Sequence, residues 1–309
     1  MAMWTEITLE TDPADAELVA DLLRQHCPGG VAVEYRGPFP EGAGWAATPE
    51  GDIAVSARRA LVRAYLPSDE ATPQRRRSLR LALRFAPLRR PPRWLRPRRL
   101  REEDWQRSWQ RHLRARRIGR VLVNHSWDRR EARAGDIVIE IDPGLAFGTG
   151  EHPTTAMCLR ALQRAVRPGD RALDLGTGTG ILAIAAAKLG AAPVLALDID
   201  PQAVRAAGEN ARRNGVAERV CARLGTLTPE VAGEGPFQVI AVNIDGLTLE
   251  RLAPLLARAL ASGGRLVASG FLQESAEALA QALSRHGLRT LERLEDSPWA
   301  ALLAVKEDA

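Results

Sequence analysis

The sequence predicts an α/β protein in which a mostly parallel, seven-stranded sheet follows a small α+β domain. Two observations support this prediction. Apolar patterns over residues 1–86 occur in the order strand, helix, strand, strand, helix. Residues 171–200 contain a strand, a glycine-rich turn, a helix and a second strand, which together form one βαβ unit. The predicted organisation is therefore a first domain at 1–86, a linker at 87–101 and a second domain at 102–309.

The first domain is predicted from alternating and helical apolar patterns. Asp12 as the cap and Pro13 in the first turn indicate where its first helix begins. The predicted elements are a strand at 4–9, that helix, strands at 31–35 and 60–66, and a helix at 73–85. This order resembles the ferredoxin-like sandwich. Because residues 87–101 are rich in proline and arginine, they are predicted to form a semi-rigid linker.

The second domain is predicted to alternate strands with helices. Its helices are placed at 102–113, 154–166, 181–189, 201–213 and 274–286, and its strands at 120–124, 137–141, 172–174, 194–197, 220–224, 237–242, 265–268, 288–294 and 299–305. In the first of these helices Trp105 and Trp109 share a face, since they are four residues apart. Such a pair is typical of packing, and a role in docking a substrate is the alternative.

Charge is distributed unevenly along the chain, whose net charge is +5. Residues 75–133 contain 21 arginines and five acidic residues, so the rest of the chain is acidic. This basic segment predicts contact with ribosomal RNA or an acidic partner. A solvated surface in an arginine-rich chain, whose only lysines are Lys188 and Lys306, is an equal alternative.

Composition argues against several other classes of protein. The three cysteines and five histidines show no spacing typical of a metal site or a disulfide framework. No apolar run approaches the roughly 20 residues of a membrane span, and the N-terminus lacks a signal-peptide core. We therefore expect a cytoplasmic monomer that holds no metal and contacts no membrane.

The central motif is D-L-G-T-G-T-G, in which Asp174 precedes three alternating glycines, Gly176, Gly178 and Gly180. We expect the motif to require glycine at these positions because a Cβ would hold a ligand away from the main-chain N–H groups. Asp198 ends the following strand, 22 residues after Gly176. A carboxylate at this position accepts hydrogen bonds from ribose hydroxyls.

The glycine spacing distinguishes between two nucleotide ligands. A nicotinamide dinucleotide fold has G-x-G-x-x-G, and its third glycine would fall at Ile181. The pattern G-x-G-x-G, with an acid two residues before it, is instead that of the Rossmann-like class I S-adenosylmethionine methyltransferases. A nicotinamide oxidoreductase and a turn without a ligand are the alternatives.

A second motif, I-D-P-G-L-A-F-G-T-G-E-H-P-T-T, occupies residues 141–155. Its glycines predict a loop that contains the aromatic residue Phe147 and ends where Thr154 and Thr155 open a helix. A glycine-rich loop immediately before the cofactor unit is expected to fold over the cofactor. An ordinary interdomain loop is the alternative.

Together these motifs resemble the PrmA family, the methyltransferases of large-subunit ribosomal protein eleven. The resemblance is carried by D-P-G-L-A-F-G-T-G-E-H-P-T-T, by D-L-G-T-G-T-G and by E-E-D-W-Q-R-S-W at 102–109, and it extends over the whole chain. It implies that the first domain recognises the ribosomal protein as substrate. The second domain would transfer methyl groups from S-adenosylmethionine to lysine side chains and to the N-terminal amine.

The resemblance also implies the residues of the site. The positions expected to bind the cofactor are Thr155, Gly176, Gly178, Asp198, Asn243 and Phe147. The positions expected to act at the methyl group are Asn243, His152 and Thr154. Where the family usually has Thr and Leu, this chain has Glu151 and Asp245, and we hypothesise that these two carboxylates hold a lysine ammonium.

The residues at the end of strand 237–242 indicate the class of acceptor. Methyltransferases of flat amides or adenine carry Asn-Pro-Pro-Tyr there, whereas this chain has Asn243-Ile244-Asp245. An aliphatic amine is therefore the expected acceptor, with the amide oxygen of Asn243 accepting its hydrogens. A different protein lysine substrate, or an RNA-binding module built on the same fold, is the alternative.

Overall fold

A computed structural model describes residues 3–27, 29, 31–36, 59–69, 71–101, 113–142 and 148–307. The chain divides into two compact units, Met1–Leu113 and Arg114–Ala309. The predicted helix with Trp105 and Trp109 lies outside the described residues except for Leu113, and so does Phe147.

The N-terminal unit is an antiparallel sheet with two helices on one face. Its elements are β1 (Met3–Thr11), a 3-10 turn (Pro13–Asp15), α1 (Ala16–His26), β2 (Val31–Arg36), β3 (Arg59–Pro67), α2 (Thr72–Phe85), β4 (Arg93–Trp94) and β5 (Arg98–Arg101). The strand order is β2-β3-β1-β4, and β5 also pairs with β1. This arrangement confirms the predicted ferredoxin-like sandwich.

The segment 87–101 differs from the predicted linker. Leu9 of β1 pairs with Trp94, and Thr5 pairs with Arg99, so β4 and β5 belong to the first sheet. The Asp15 carboxylate holds the approach to β4 by accepting the N–H of Arg89 at 2.9 Å. The prediction of a linker is thus wrong at residues 93–94 and 98–101, because strands of two and four residues are too short to produce a periodic pattern.

The start of the first helix also differs from its prediction. Pro13 begins a 3-10 turn, and the α-helix starts three residues later, at Ala16. Asp12 accepts the N–H of Asp15 through its main-chain oxygen at 3.0 Å. The cap that the sequence places at Asp12 therefore belongs to this short turn.

The C-terminal unit contains the large sheet. Its elements are β6 (Arg116–Ile118), β7 (Val121–Asn124), β8 (Ile137–Glu140), α3 (Pro153–Ala165), β9 (Ala172–Leu175), α4 (Ile181–Lys188), β10 (Val194–Asp198), α5 (Pro201–Arg213), β11 (Val220–Leu224), α6 (Pro229–Gly233), β12 (Phe237–Asn243), α7 (Gly246–Ala259), β13 (Leu260–Leu272), α8 (Gln273–Ser284), β14 (Leu288–Asp296) and β15 (Trp299–Lys306). The seven strands have the order β11-β10-β9-β12-β13-β15-β14, and β6-β7-β8 form a separate sheet. The predicted seven-stranded, mostly parallel sheet is confirmed.

Both faces of the large sheet are buried, as a doubly wound sheet requires. Ala172 of β9 packs in a core with α3 and α4, while the next residue, Leu173, packs in the opposite core with α7 and α8. Every residue of α4 from Ile181 to Ala187 is buried. Four of these seven residues are alanine, so the helix lies close against the sheet.

The sequence prediction missed helix α7. Its buried residues Leu249, Ala253 and Leu256 recur at the helical spacing that indicates an apolar face. Pro254 lies inside this helix, and proline normally argues against a helix interior. The periodic signal was therefore present but was contradicted by one residue.

A glycine allows β12 and β13 to approach each other at their ends. Gly270 lies at a register shift in β13 and has a φ of +101°. A Cβ on Gly270 would lie 2.1 Å from the main-chain oxygen of Ile244, the residue after β12. The chain that leaves β12 can therefore pass this point only because residue 270 has no side chain.

We predict that Gly270→Ala lowers the free energy of unfolding by about 3 kcal/mol or more, because both the backbone angle and the contact with Ile244 are strained. The matched control is Gly215→Ala, which has a φ of +68° and open space around its Cβ. This control is expected to cost about 1–2 kcal/mol. Urea unfolding of both variants measures the difference, and equal losses would show that crowding at residue 270 is unimportant.

Candidate functional site

The predicted site residues meet at one edge of the large sheet. Strand β9 lies between β10 and β12, so the strand order reverses beside β9. Open α/β sheets bind ligands at such a switch point, at the carboxyl ends of the strands. The glycine turn follows β9, Asp198 ends β10 and Asn243 ends β12. Three segments that the sequence identified separately are thus brought together.

The three glycines of the turn all have left-handed backbone angles. The φ values are +74° at Gly176, +54° at Gly178 and +84° at Gly180. A Cβ on Gly176 would lie 2.6 Å from the side chain of Ile244, and one on Gly180 would lie 3.0 Å from Ala207. Backbone angle therefore favours glycine at all three positions, and packing also favours it at Gly176 and Gly180.

The N–H groups of the three glycines have partners within the fold. The main-chain N–H groups of Gly176, Gly178 and Gly180 donate to Leu197 O, Asp198 Oδ2 and Thr177 O, respectively. Since these donors are used within the fold, they hold the turn in shape. The predicted contact of Gly176 and Gly178 with the cofactor stays a prediction.

Asp174 is a buried carboxylate beneath the glycine turn. Its Oδ2 accepts the hydroxyl of Thr177 at 2.6 Å and the N–H of Ala183 at 3.0 Å. Its Oδ1 is buried and has no hydrogen-bond partner in the described part of the chain. Burial, with a smaller contribution from the nearby charge of Asp198, raises the pKa of Asp174 to about 6. The site therefore contains a buried oxygen that a cationic group would satisfy.

Asp198 is held in place by two main-chain donors. The N–H of Gly178 donates to Oδ2 at 2.9 Å, and the N–H of Asp200 donates to Oδ1 at 3.0 Å. Each carboxylate oxygen has a second lone pair, and the side chain is only partly buried. Asp198 can thus accept further hydrogen bonds, as its predicted contact with a ribose requires.

Asn243 and Thr155 lie next to each other. The amide Nδ2 of Asn243 donates to the hydroxyl of Thr155 at 3.4 Å, a long hydrogen bond between the end of β12 and the start of α3. With Nδ2 directed to Thr155, the amide oxygen is the atom that can accept a hydrogen from an acceptor amine. The structure therefore brings these two predicted residues together.

His152 and Thr154 hold each other at the start of α3. Nδ1 of His152 is 2.7 Å from the Thr154 hydroxyl and accepts the Thr154 N–H at 3.3 Å, which makes His152 the cap of the helix. The ring also meets Trp299 edge-on, with ring centres 5.1 Å apart. Because Nδ1 acts as an acceptor, the neutral ring carries its proton on Nε2. Their predicted action at the methyl group stays a prediction.

Glu151 and Asp245 each make a local structural contact. Oε1 of Glu151 accepts the N–H of Arg114 at 2.8 Å. Asp245 is the cap of α7 and accepts the N–H of Thr248 at 2.9 Å. These contacts explain why a carboxylate is useful at both positions. Whether they also hold a lysine ammonium stays a hypothesis.

Sequence reasoning missed Asn210, which is 1% exposed on α5. Its Nδ2 donates to Thr179 O at 2.9 Å and to Asp142 O at 3.3 Å, and its Oδ1 accepts the N–H of Asp142 at 3.2 Å. Thr179 in turn donates its hydroxyl to Gly148 O. Asn210 therefore joins the glycine turn to the start of the second motif. Asparagine in a helix is an unfavourable choice, which was the available signal.

Asn214, one helical turn further on, repeats this pattern on β8. Its Oδ1 accepts the N–H of Glu140 at 2.9 Å, and its Nδ2 donates to Glu140 O at 2.7 Å. Unlike Asn210, it makes no contact with the glycine turn among its hydrogen bonds. Asn214 therefore attaches the end of α5 to β8, whereas Asn210 attaches α5 to the glycine turn.

Within the described ranges, no group of three or more His, Cys, Asp or Glu residues could hold a metal ion. The same residues include no helix that is long and apolar enough to cross a membrane.

Comparison with known proteins gives a consistent family over almost the whole chain. The sequence model of the family described as "Ribosomal protein L11 methyltransferase (PrmA)" matches residues 3–307. A protein of that name from Pelotomaculum thermopropionicum is 43% identical over 97% of this chain and 98% of its own. One from Chloroflexus aurantiacus is 39% identical over 97% of both chains. The crystal structure of ribosomal protein L11 methylase from Lactobacillus delbrueckii superposes with a TM-score of 0.56 and 32% identity, over 62% of this chain and 96% of that one.

The raised pKa of Asp174 predicts a pH-dependent stability of the ligand-free protein. The pKa of an unperturbed aspartate carboxyl is 3.8, and burial raises the pKa of Asp174 to about 6 in the folded chain. The folded chain therefore binds this proton more tightly than the unfolded chain does. Its contribution to stability is complete below about pH 4 and is lost as the pH rises to about 6, a change of about 3 kcal/mol.

Urea unfolding of the wild type and Asp174→Asn across this pH range measures that contribution. The variant lacks the titrating group, so its stability relative to the wild type is expected to rise with pH. Parallel curves for the two proteins would contradict the assignment.

Asn210→Ala is expected to weaken binding of S-adenosylmethionine about tenfold, because it frees the glycine turn, and to cost about 2–4 kcal/mol of stability. Asn214→Ala is the matched control, since it removes similar hydrogen bonds from β8 and leaves the turn intact. Calorimetric titration gives the dissociation constants. An equal weakening in both variants would show that Asn210 acts only through general stability.

Proposed function

The chain belongs to the ribosomal protein L11 methyltransferase family, and on that premise we propose that it transfers methyl groups from S-adenosylmethionine to ribosomal protein L11. The acceptors are lysine side chains and the N-terminal amine. The observation that carries the proposal is the junction of the glycine turn, Asp198 and Asn243 at the switch point of the sheet. A ribosomal protein as substrate is also consistent with the expected cytoplasmic location.

The residues at the switch point fit S-adenosylmethionine. Asp198 has lone pairs available for the ribose hydroxyls, and the buried, unpartnered Oδ1 of Asp174 suits the ammonium of the methionine part. The glycine turn has already used three of its N–H groups internally, which suits a ligand without a pyrophosphate. When bound, S-adenosylmethionine supplies a methyl group on a positively charged sulfur.

The protein's part in the reaction is to prepare the acceptor amine. Lysine has an ordinary pKa of about 10.4, so a site that methylates it must favour the neutral amine. A desolvated setting favours the neutral form. Asn243 accepts a hydrogen of the amine through Oδ1 while its Nδ2 is held by Thr155. Asn243 thereby directs the nitrogen lone pair toward the methyl group.

His152 and Thr154 position this wall of the site. Because Nδ1 of His152 already accepts from Thr154, the ring supports the start of α3 and is not poised to take a proton there. Thr155, which holds Asn243, is the next residue of the same helix. We therefore assign His152 and Thr154 to positioning of Thr155.

A nicotinamide oxidoreductase is the weaker candidate. Gly180 is followed directly by Ile181, which begins α4 and is buried in the core. A third glycine of the dinucleotide motif would have to occupy that position. The basic segment 75–133 supports a second proposal, a contact of this monomer with ribosomal RNA.

The proposed function predicts that label from methyl-labelled S-adenosylmethionine enters purified ribosomal protein L11, and mass mapping of its peptides identifies the amines. Asn243→Ala is expected to lower kcat/KM about 10- to 100-fold, because a hydrogen bond to the reacting amine is lost. Gln238→Ala is the control at the other end of β12, where the side chain of Gln238 accepts the N–H of Arg171.

Incubation with the complete set of ribosomal proteins distinguishes the alternatives. Label in another protein would show that the substrate is a different protein and that the class of enzyme is unchanged. No label in any protein, with tight binding of NADH, would overturn the proposal.

A further inference from the structure

One face of α2 carries charge that the site does not use. Residues 71–101 contain twelve arginines and no aspartate or glutamate, although 38 of the 309 residues in the chain are acidic. The rest of the chain sums to −7. A general preference for arginine over lysine explains why the basic residues of this segment are arginines. It does not explain why the segment contains no carboxylates. This segment is therefore selectively basic.

The solvent side of α2 combines these charges with exposed apolar side chains. Leu79 and Leu83 face the core of the first unit. On the opposite side lies the face formed by Arg77, Arg80, Leu81, Arg84 and Phe85, all of them exposed. We call these five residues the α2 outer face. Leu81 is 56% exposed and Phe85 is 80% exposed, so two large apolar groups are held in water.

Arg77, Arg80 and Arg84 have no acidic partner in the described part of the chain. Arg75 pairs with Asp69 at 2.8 Å, and Arg93 and Arg98 lie 4.0 Å from Glu10 and Glu6. No ion pair among the described residues includes Arg77, Arg80 or Arg84. Arg80 instead covers the ring of Trp94, with its guanidinium carbon 5.2 Å from the ring centre.

The spacing of these charges opposes folding of the helix. Arg80 and Arg84 are four residues apart, and Arg77 and Arg84 are seven apart. Like charges at a spacing of four destabilise a helix. A helix that keeps these charges with no acidic partner among the described residues gains from a binding partner that supplies negative charge.

We propose that the α2 outer face binds single-stranded RNA. Guanidinium groups bind phosphates with a planar fork of donors and also stack on bases. An exposed aromatic side chain among such cations is typical of a surface on which bases stack. Nucleic-acid interfaces are much more positively charged than protein interfaces, which deplete charge at their centre. The inference rests on the RNA contact proposed for segment 75–133 and is independent of methyl transfer.

Fluorescence anisotropy with a labelled single-stranded RNA of about 12 nucleotides tests the inference, since this length falls within known site sizes. Titrations of the full chain at about 50–200 mM KCl give the slope of log Kd against log salt. Arg77→Gln/Arg84→Gln is expected to reduce this slope by about 1.4, because about 0.7 is lost for each phosphate contact. Phe85→Ala is expected to weaken binding about 5- to 150-fold with little change in slope, because stacking is not ionic.

The matched control is Arg205→Gln/Arg212→Gln, which removes two exposed arginines from α5 in the other unit. This control is expected to keep the wild-type affinity and slope. A polyglutamate peptide of similar charge is titrated alongside. An equal loss of RNA affinity in the control pair would overturn the inference. It would also be overturned if polyglutamate bound as tightly as RNA and its affinity did not change in Phe85→Ala. Either result would show a general attraction of anions.

Methyl transfer to isolated ribosomal protein L11 is measured on the same preparations. RNA binding without transfer would leave this inference in place and remove the proposed function. Transfer without RNA binding would do the reverse. If the α2 variants lose transfer and the wild type binds no RNA, the face docks the protein substrate instead.

Discussion

The structure of the site depends on the close passage of Ile244 between two glycines. The side chain of Ile244 would lie 2.6 Å from a Cβ on Gly176, and its main-chain oxygen would lie 2.1 Å from a Cβ on Gly270. The ends of β9, β12 and β13 can converge only because both neighbours lack side chains. Asn243, one residue earlier, is thereby held beside Thr155 at 3.4 Å. Steric exclusion, rather than any single polar contact, sets the geometry of the site.

Around this packed centre, the polar groups are largely satisfied before any ligand arrives. Gly178 donates to Asp198, Thr177 donates to Asp174, and Asn210 donates to the oxygen of Thr179. These contacts leave specific atoms for a ligand, namely the remaining lone pairs of Asp198 and Oδ1 of Asp174. A site of this kind loses little ordering entropy on binding, because its shape already exists.

Much of this arrangement could be predicted from sequence, because strands, helices and glycine motifs have local signatures. The seven-stranded sheet and the meeting of Asp198 with the glycine turn follow from periodicity and from the rule for strand ends. Helix α7 was missed because Pro254 broke its pattern, and β4 and β5 are too short to show one. An asparagine inside a helix indicated that Asn210 is unusual, but its partners could not be predicted, since they lie 31 and 68 residues away in the chain. The packing of Gly176 against Ile244 could not be predicted either, because the two residues are far apart in the chain.

Asn210 of α5 and Asn214, the residue that ends this helix, also occupy an open strand edge. In β8 the N–H groups of Ile137 and Ile141 point to β7, so Glu140 and Asp142 face outward at an open edge. Asn214 and Asn210 pair with the main chain of those two residues, as a neighbouring strand would. Four residues of helix rise about 6 Å and two residues of strand about 6.6 Å, so the two repeats match. The two side chains thus use the main-chain groups with which a fourth strand would pair, so these groups are not available to another chain.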